Sequence, residues 1–182
     1  YAVAVGSGAA VAATGAANLT AVGKDALGTC IGGASNTAVG VSALGGTDDG
    51  ANNTAVGVAA LDANCADDNA AIGINALSAF TGSDATAVGS GAAVAATSAA
   101  GLTVIGAEAG SAITGEEGVT LIGNQSGVTL AGANNTFIGN ESGRYATSVT
   151  DSIAIGADAG ALFGSDDDNN IAIGARALDF TS

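Results

Sequence analysis

The sequence predicts an all-β fold, a parallel β-solenoid (β-roll) of 11 coils with 16–18 residues in each. The first observation is a short apolar segment ending in Val-Gly or Ile-Gly, which recurs at this spacing along the whole chain. The second is a period of two before each glycine, which is typical of a strand. The third is the length of the repeat, because helical repeats run to about 33 residues or more.

Each predicted strand ends at a glycine, which we call the corner glycine and number as position zero of its coil. Glycine directly after a strand indicates a corner that needs positive φ or a close approach of two backbones. The corner glycines are Gly6, Gly23, Gly40, Gly57, Gly73, Gly89, Gly106, Gly123, Gly139, Gly156 and Gly174. They fill the chain without a linker, so we expect residues 1–182 to form one solenoid domain, a segment of a longer fibre or a filament subunit.

Two columns before the corner define the predicted strands. Position −1 is always Val or Ile, and position −3 is Thr in seven coils. Alternation places both positions on one face of the strand. Ile153 and Ile171 replace the threonine in two coils, which favours a face turned towards the core or a chain interface. We therefore expect the −1 column to form the coil core, together with the leucines at +4 and the large residues at −2.

Positions −2 and +4 vary together. Where position −2 is Ala, position +4 is Leu in five coils: Leu27, Leu44, Leu61, Leu77 and Leu178. Where position −2 is large, position +4 is Gly: Val104 with Gly110, Leu121 with Gly127, and Phe137 with Gly143. This pattern predicts that the two positions fill one space at near-constant packing density. The coil of Gly156 departs from it, with Ala154 and Gly160, and there we expect Leu162 and Phe163 to fill the gap.

Composition excludes several classes of function. The net charge is −14 with only three basic residues, and nucleic-acid binding needs clustered Lys and Arg. The chain has no His, so Ser–His–Asp and Cys–His catalysis cannot be built, and two cysteines do not make a zinc site. We expect a protein that is not an enzyme and does not insert into membranes. We expect the apolar start to be part of the solenoid rather than a leader, because Ala4–Thr14 recurs unchanged at Ala87–Thr97.

Several coils resemble a known family. Residues 152–159 (SIAIGADA) and 170–177 (NIAIGARA) are similar to the repeat of trimeric autotransporter adhesin heads, the YadA-like head. Residues 36–44 (NTAVGVSAL) resemble a variant found in bacterial surface proteins and phage tail fibres. The resemblance implies a left-handed β-roll, a homotrimer around one axis, and an extracellular place on a cell surface or virion appendage. The coils here are longer than the family's, and neither its neck nor its stalk is present.

Three functions follow as alternatives. The first is an adhesive fibre segment whose loops attach to a surface receptor that the sequence does not identify. The second is a filament subunit that polymerises end to end through uncapped coils, since open solenoid ends expose unpaired strand edges. The third is an ice-binding solenoid, in which a flat column of Thr would match the ice lattice.

Acidic residues concentrate in the loops, and equivalent loop positions stack on one edge of a solenoid. Oxygen-rich clusters of this kind predict calcium sites, and the alternative is a solvated acidic edge. The candidate calcium ligands are Asp48, Asp49, Asp67, Asp68, Asp166, Asp167 and Asp168. No other cofactor is expected.

Two further groups in the loops admit two interpretations each. Cys30 and Cys65 lie about two coils apart, and they form a disulfide, within or between chains, or remain buried free thiols. The loop aromatics either contact a ligand or plug gaps between coils or chains. They are Phe80, Tyr145, Phe163 and Phe180.

Overall fold

The structure is a computed structural model that describes residues 1–164 and 168–179. The described residues contain 11 strands and no helix. The strands are β1 (Ala2–Val5), β2 (Leu19–Val22), β3 (Thr37–Val39), β4 (Thr54–Val56), β5 (Ala70–Ile72), β6 (Thr86–Val88), β7 (Thr103–Ile105), β8 (Thr120–Ile122), β9 (Thr136–Ile138), β10 (Ile153–Ile155) and β11 (Ile171–Ile173).

All strands belong to one parallel sheet, and their order in the sheet is their order in the chain. The register aligns equivalent positions, so that Thr37 pairs with Thr54 and Val39 pairs with Val56. Each coil therefore contributes one short strand, and its remaining residues form turns that stack on the turns of the next coil. The prediction of a parallel β-solenoid is confirmed.

The corner glycines are required by the approach of neighbouring coils. The N–H of Gly40 donates to the carbonyl of Val22 one coil earlier, at 2.8 Å. Gly40 has a φ of 140°, and a Cβ placed on it would lie 2.3 Å from the carbonyl oxygen of Gly57. No side chain fits at that distance, so the expectation of close backbone approach at the corner is confirmed.

The core combines the −2, +3 and +4 positions with apolar residues at −4 and +7, such as Leu102 and Ile113, and the prediction for the −1 column is wrong. Val104, Leu121 and Phe137 at position −2 are fully buried, as expected. In contrast, Val39 is 37% exposed and Ile173 is 67% exposed. In the nine three-residue strands, β3 to β11, the narrow coil buries only the middle side chain, whereas β2 buries both Leu19 and Ala21. The −3 and −1 residues do share a face, but it is the outer face of the sheet.

The predicted link between positions −2 and +4 is confirmed in two of the three coils, whereas a Cβ at Gly110 would meet Leu121 of the next coil and Ile113 rather than Val104. A Cβ at Gly143 would lie 2.2 Å from the ring of Phe137, and a Cβ at Gly127 would lie 2.5 Å from Leu121. In the coil that breaks the pattern, Phe163 fills the gap, since a Cβ at Gly160 would lie 2.5 Å from its ring. Leu162 does not contribute, because it is 41% exposed.

The leucines at position +4 adopt an unusual backbone conformation. The φ values lie between 50 and 52° at Leu27, Leu44, Leu61 and Leu77. This left-handed backbone conformation costs a residue other than glycine about 1–2 kcal/mol. All four are fully buried, and complete burial of a leucine contributes about 1.5–3 kcal/mol. Burial therefore offsets the strain. Glycine takes this position, without strain, where a large −2 residue already fills the space.

We predict that Gly123→Ala lowers the free energy of unfolding by about 3 kcal/mol or more. The added Cβ would lie 2.2 Å from the carbonyl oxygen of Gly139, so two coils would have to separate. The matched control is Gly115→Ala, whose added Cβ would have no neighbour within 4 Å. The measurement is the denaturation midpoint of both variants at one protein concentration. Equal midpoints would contradict the close approach at the corner.

Candidate functional surfaces

The outer face of the sheet carries the −3 and −1 columns, and we call it the outer sheet face. The Thr column lies on it, partly or fully exposed in every coil that has it. Ile171 is 64% exposed, so the two isoleucines in this column do not mark a buried face. The expectation that the chain's own core buries the Thr column is wrong, for the same reason as for the −1 column.

Exposed aliphatic side chains are concentrated in the third to fifth coils, on this face and just beyond its corner. They are the −1 residues of three successive coils and the +1 residues that follow their corner glycines. We call these six side chains the aliphatic patch, and each is between 37 and 53% exposed: Val39, Val41, Val56, Val58, Ile72 and Ile74. Contiguous exposed apolar patches on soluble proteins mark interaction surfaces.

The outer sheet face also excludes charge. The chain has 17 acidic and three basic residues, yet none of them lies in any of the 11 strands. A surface whose only contact is with water would carry charged residues, as the rest of this molecule's surface does. The outer sheet face is therefore an uncharged stripe along a strongly acidic molecule.

Buried asparagines link successive coils just before the strands. The side-chain oxygen of Asn36 accepts from the N–H of Asn53 at 2.8 Å, and that of Asn53 accepts from the N–H of Asn69 at 2.9 Å. Their amide groups donate to loop carbonyls, as Asn36 does to Gly50 at 2.6 Å. Among the described residues no buried side-chain nitrogen or oxygen lacks a partner. Sequence reasoning missed this ladder, although Asn recurs at position −4.

The acidic loop residues serve as hydrogen-bond acceptors for the coil before them. Asp67 accepts from the N–H of Ala51 at 2.8 Å, and Asp68 accepts from the amide of Asn52 at 3.0 Å. Asp168 accepts from the N–H of Thr150 at 2.7 Å.

The calcium prediction for the described loop acids is not tested by these contacts. The described part of the chain holds no group of three acidic or cysteine residues placed to bind one metal ion. The prediction for Asp48, Asp49, Asp67, Asp68 and Asp168 stays a prediction. Asp166 and Asp167 lie outside the described residues, so their prediction stays untested.

Both cysteines are buried free thiols. Thr47 lies in the coil between them, with its hydroxyl 3.3 Å from the Cys65 sulfur. The Cys30 sulfur is 3.3 Å from the carbonyl oxygen of Gly33, to which it donates. Burial raises the pKa of both thiols above the usual range. Within one chain the structure therefore has free thiols, and a bridge between chains stays a prediction.

The loop aromatics divide into two groups. Phe80 and Phe163 are fully buried, and the Phe163 ring centroid lies 6.2 Å from that of Phe137. These two residues plug the core. Tyr145 is different, because it is 51% exposed. Phe180 lies outside the described residues.

No family model, curated protein or solved structure matches this chain. The part of the chain that the structure describes holds no apolar helix of membrane-spanning length.

We predict that both thiols resist alkylation in the native protein and react fully in denaturant. Their raised pKa keeps them protonated in the folded chain, whereas cysteine in the unfolded chain loses its proton near pH 8.5. The unfolded state therefore binds fewer protons above that pH, and the free energy of unfolding falls as pH rises beyond it.

The measurement is iodoacetamide labelling followed by intact mass, with denaturation midpoints recorded between pH 7 and about pH 10. A double variant, Cys30→Ala with Cys65→Ala, controls for other groups and should lose less stability over the same range. Rapid labelling of the native protein, or an intact mass lower by two hydrogens, would contradict two buried free thiols.

Proposed function

We propose that this chain is a rigid segment of an extracellular fibre in which three copies pack around one axis through the outer sheet face. The observation that carries the proposal is the uncharged outer sheet face with its aliphatic patch. A single coil buries one side chain per three-residue strand and leaves the −1 aliphatic side chains to solvent. Burial of a Val or Ile side chain contributes about 1.5–3 kcal/mol, so packing against another copy would stabilise every coil.

Charge supports a second copy of the chain as the occupant of this face. Each copy carries a net charge of −14, and like charges oppose association. Two copies can approach only through a surface that keeps the acids away from the contact. The outer sheet face meets this condition because the charged residues lie in turns and loops.

The resemblance to YadA-like heads and tail-fibre repeats supports three further parts of the proposal. In it the solenoid is left-handed, the assembly is a homotrimer, and the fibre lies on a cell surface or virion appendage. The stacked loops then face solvent and supply the positions for surface attachment.

We predict that the native mass in solution is near three times the 16.7 kDa of one chain. The variant Ile72→Lys with Ile105→Lys places charges on the outer sheet face in two coils and should give monomers. Ala100→Lys is the matched control, at an exposed loop position, and should leave the mass unchanged. Multi-angle light scattering measures all three proteins. A native monomer would overturn the proposal, and long filaments in negative-stain images would replace it with an end-to-end polymer.

Ice binding is the second candidate, and the orientation of the Thr column favours it. The threonines lie on the outer sheet face rather than inside. Strands lie about 4.8 Å apart and positions −3 and −1 about 6.7 Å apart along a strand, which makes a flat, regular lattice of hydroxyl and methyl groups. Both candidates use the same face, so one molecule cannot bury it in a trimer and bind ice with it.

Thermal hysteresis, measured on the same sample as the native mass, separates the two candidates. We expect a trimer without hysteresis, because the threonines are then covered. A monomer with hysteresis that Thr54→Lys with Thr103→Lys abolishes would establish ice binding in place of the fibre. Ala100→Lys again serves as the control, since it lies off the outer sheet face.

A further inference from the structure

A cleft of about 460 Å³ lies on the turns that follow β9, β10 and β11. This volume is within the range of roughly 300–1,000 Å³ that is usual for small-molecule sites. None of its lining residues belongs to a strand, so it is separate from the residues of the outer sheet face. The lining residues are Tyr145, Asp158, Ala161, Leu162, Arg176 and Asp179.

The cleft forms where the repeat is broken. In the third to eighth coils the position six after the corner glycine is small: Gly46, Ala63, Ala79, Ala95, Ala112 and Thr129. The ninth coil has Tyr145 at that position and the tenth has Leu162, which are 51% and 41% exposed. The chain has only two tyrosines and no tryptophan, so an exposed aromatic ring is a rare feature of this molecule.

Tyr145 is tied to the next coil through its backbone, and its ring lies beside Arg144. Its backbone N–H donates to the carbonyl of Ala161 at 2.8 Å. The guanidinium carbon of Arg144 lies 5.1 Å from the ring centroid, and Arg144 is itself fixed by an ion pair with Glu141 at 2.6 Å.

Donors and acceptors line the cleft beside the apolar side chains. The Nε atom of Arg176 lies 3.9 Å from the Oδ2 atom of Asp158. Asp179 adds a second carboxylate to the lining of the cleft. The guanidinium only donates hydrogen bonds and the carboxylates only accept them. The cleft therefore offers an apolar surface of Tyr145 and Leu162 with both kinds of polar group next to it.

We propose that this cleft binds a neutral saccharide. A pyranose ring has an apolar C–H face that can pack on Tyr145 and Leu162, and its hydroxyls can accept from Arg176 and donate to Asp158 and Asp179. Acidic sugars are disfavoured by these carboxylates and by the net charge of −14. The site goes beyond the proposed fibre function and does not depend on the number of chains.

The test uses the full chain with Tyr1→Phe, which leaves Tyr145 as its single tyrosine. Maltotriose, cellotriose and mannotriose are titrated while the tyrosine fluorescence is followed, with saturation-transfer NMR as a second readout. We expect at least one of them to bind with a Kd of about 1 mM or lower. Binding of sialyllactose or a uronate trisaccharide, with none of the neutral sugars, would overturn the proposal.

Single variants test which residues form the site. Their sugar binding is measured by saturation-transfer NMR, because a variant without Tyr145 has lost the fluorescence signal. Tyr145→Ala should weaken binding about tenfold or more, and Tyr145→Phe should retain it, because the ring face remains. Arg176→Ala should weaken binding as well. Thr29→Ala is the matched control, since Thr29 is an exposed residue at the same position in the second coil.

Circular dichroism and native mass identical to the wild type establish that each variant folds and assembles. Absence of binding by the wild type, or undiminished binding by Tyr145→Ala, would overturn the saccharide site. A trimer that binds no neutral sugar would overturn this site alone, whereas a monomer that binds one would overturn the trimeric fibre alone.

Discussion

The close contact between successive coils at the corner glycine is the constraint on which the rest of the structure depends. There the backbone of one coil approaches the carbonyl of the next so closely that no Cβ fits, as at Gly40 and Gly57. This contact sets the register of every strand pair. Because equivalent residues then stack directly, each sequence position becomes a column, and each column becomes a strip of surface or of core.

The narrow coil determines how those columns divide between inside and outside. The interior is filled by the middle residue of the three-residue strands, by alanines and by the leucines at position +4. These leucines adopt a strained backbone conformation with positive φ. The aliphatic −1 column has no room inside and lies on the outer sheet face. A protein with so thin a core and so regular an apolar exterior is suited to gain stability from neighbouring copies, which is the physical basis of the proposed fibre.

Polar groups in this molecule mostly serve the stacking of coils. The asparagine ladder at Asn36, Asn53 and Asn69 ties each coil to the next, and Asp67 and Asp68 accept from the preceding coil. Residues that follow the repeat are therefore explained by the solenoid itself. Residues that break it, such as Tyr145 and Leu162, are not needed for stacking, and sites of recognition are expected where local rules are broken.

The sequence by itself determined the coil number, the position of every corner glycine and the pairing of a large −2 residue with Gly at +4. These features could be predicted because each depends on a local spacing or on the volume of two residues. The period of two also showed that positions −3 and −1 share a face. Alternation alone does not distinguish the inner face of a strand from its outer face, so the sequence could not tell which face is inside. Only the tertiary structure decided this, because the width of the coil limits the interior to one side chain per three-residue strand. The same limit made the Thr column external.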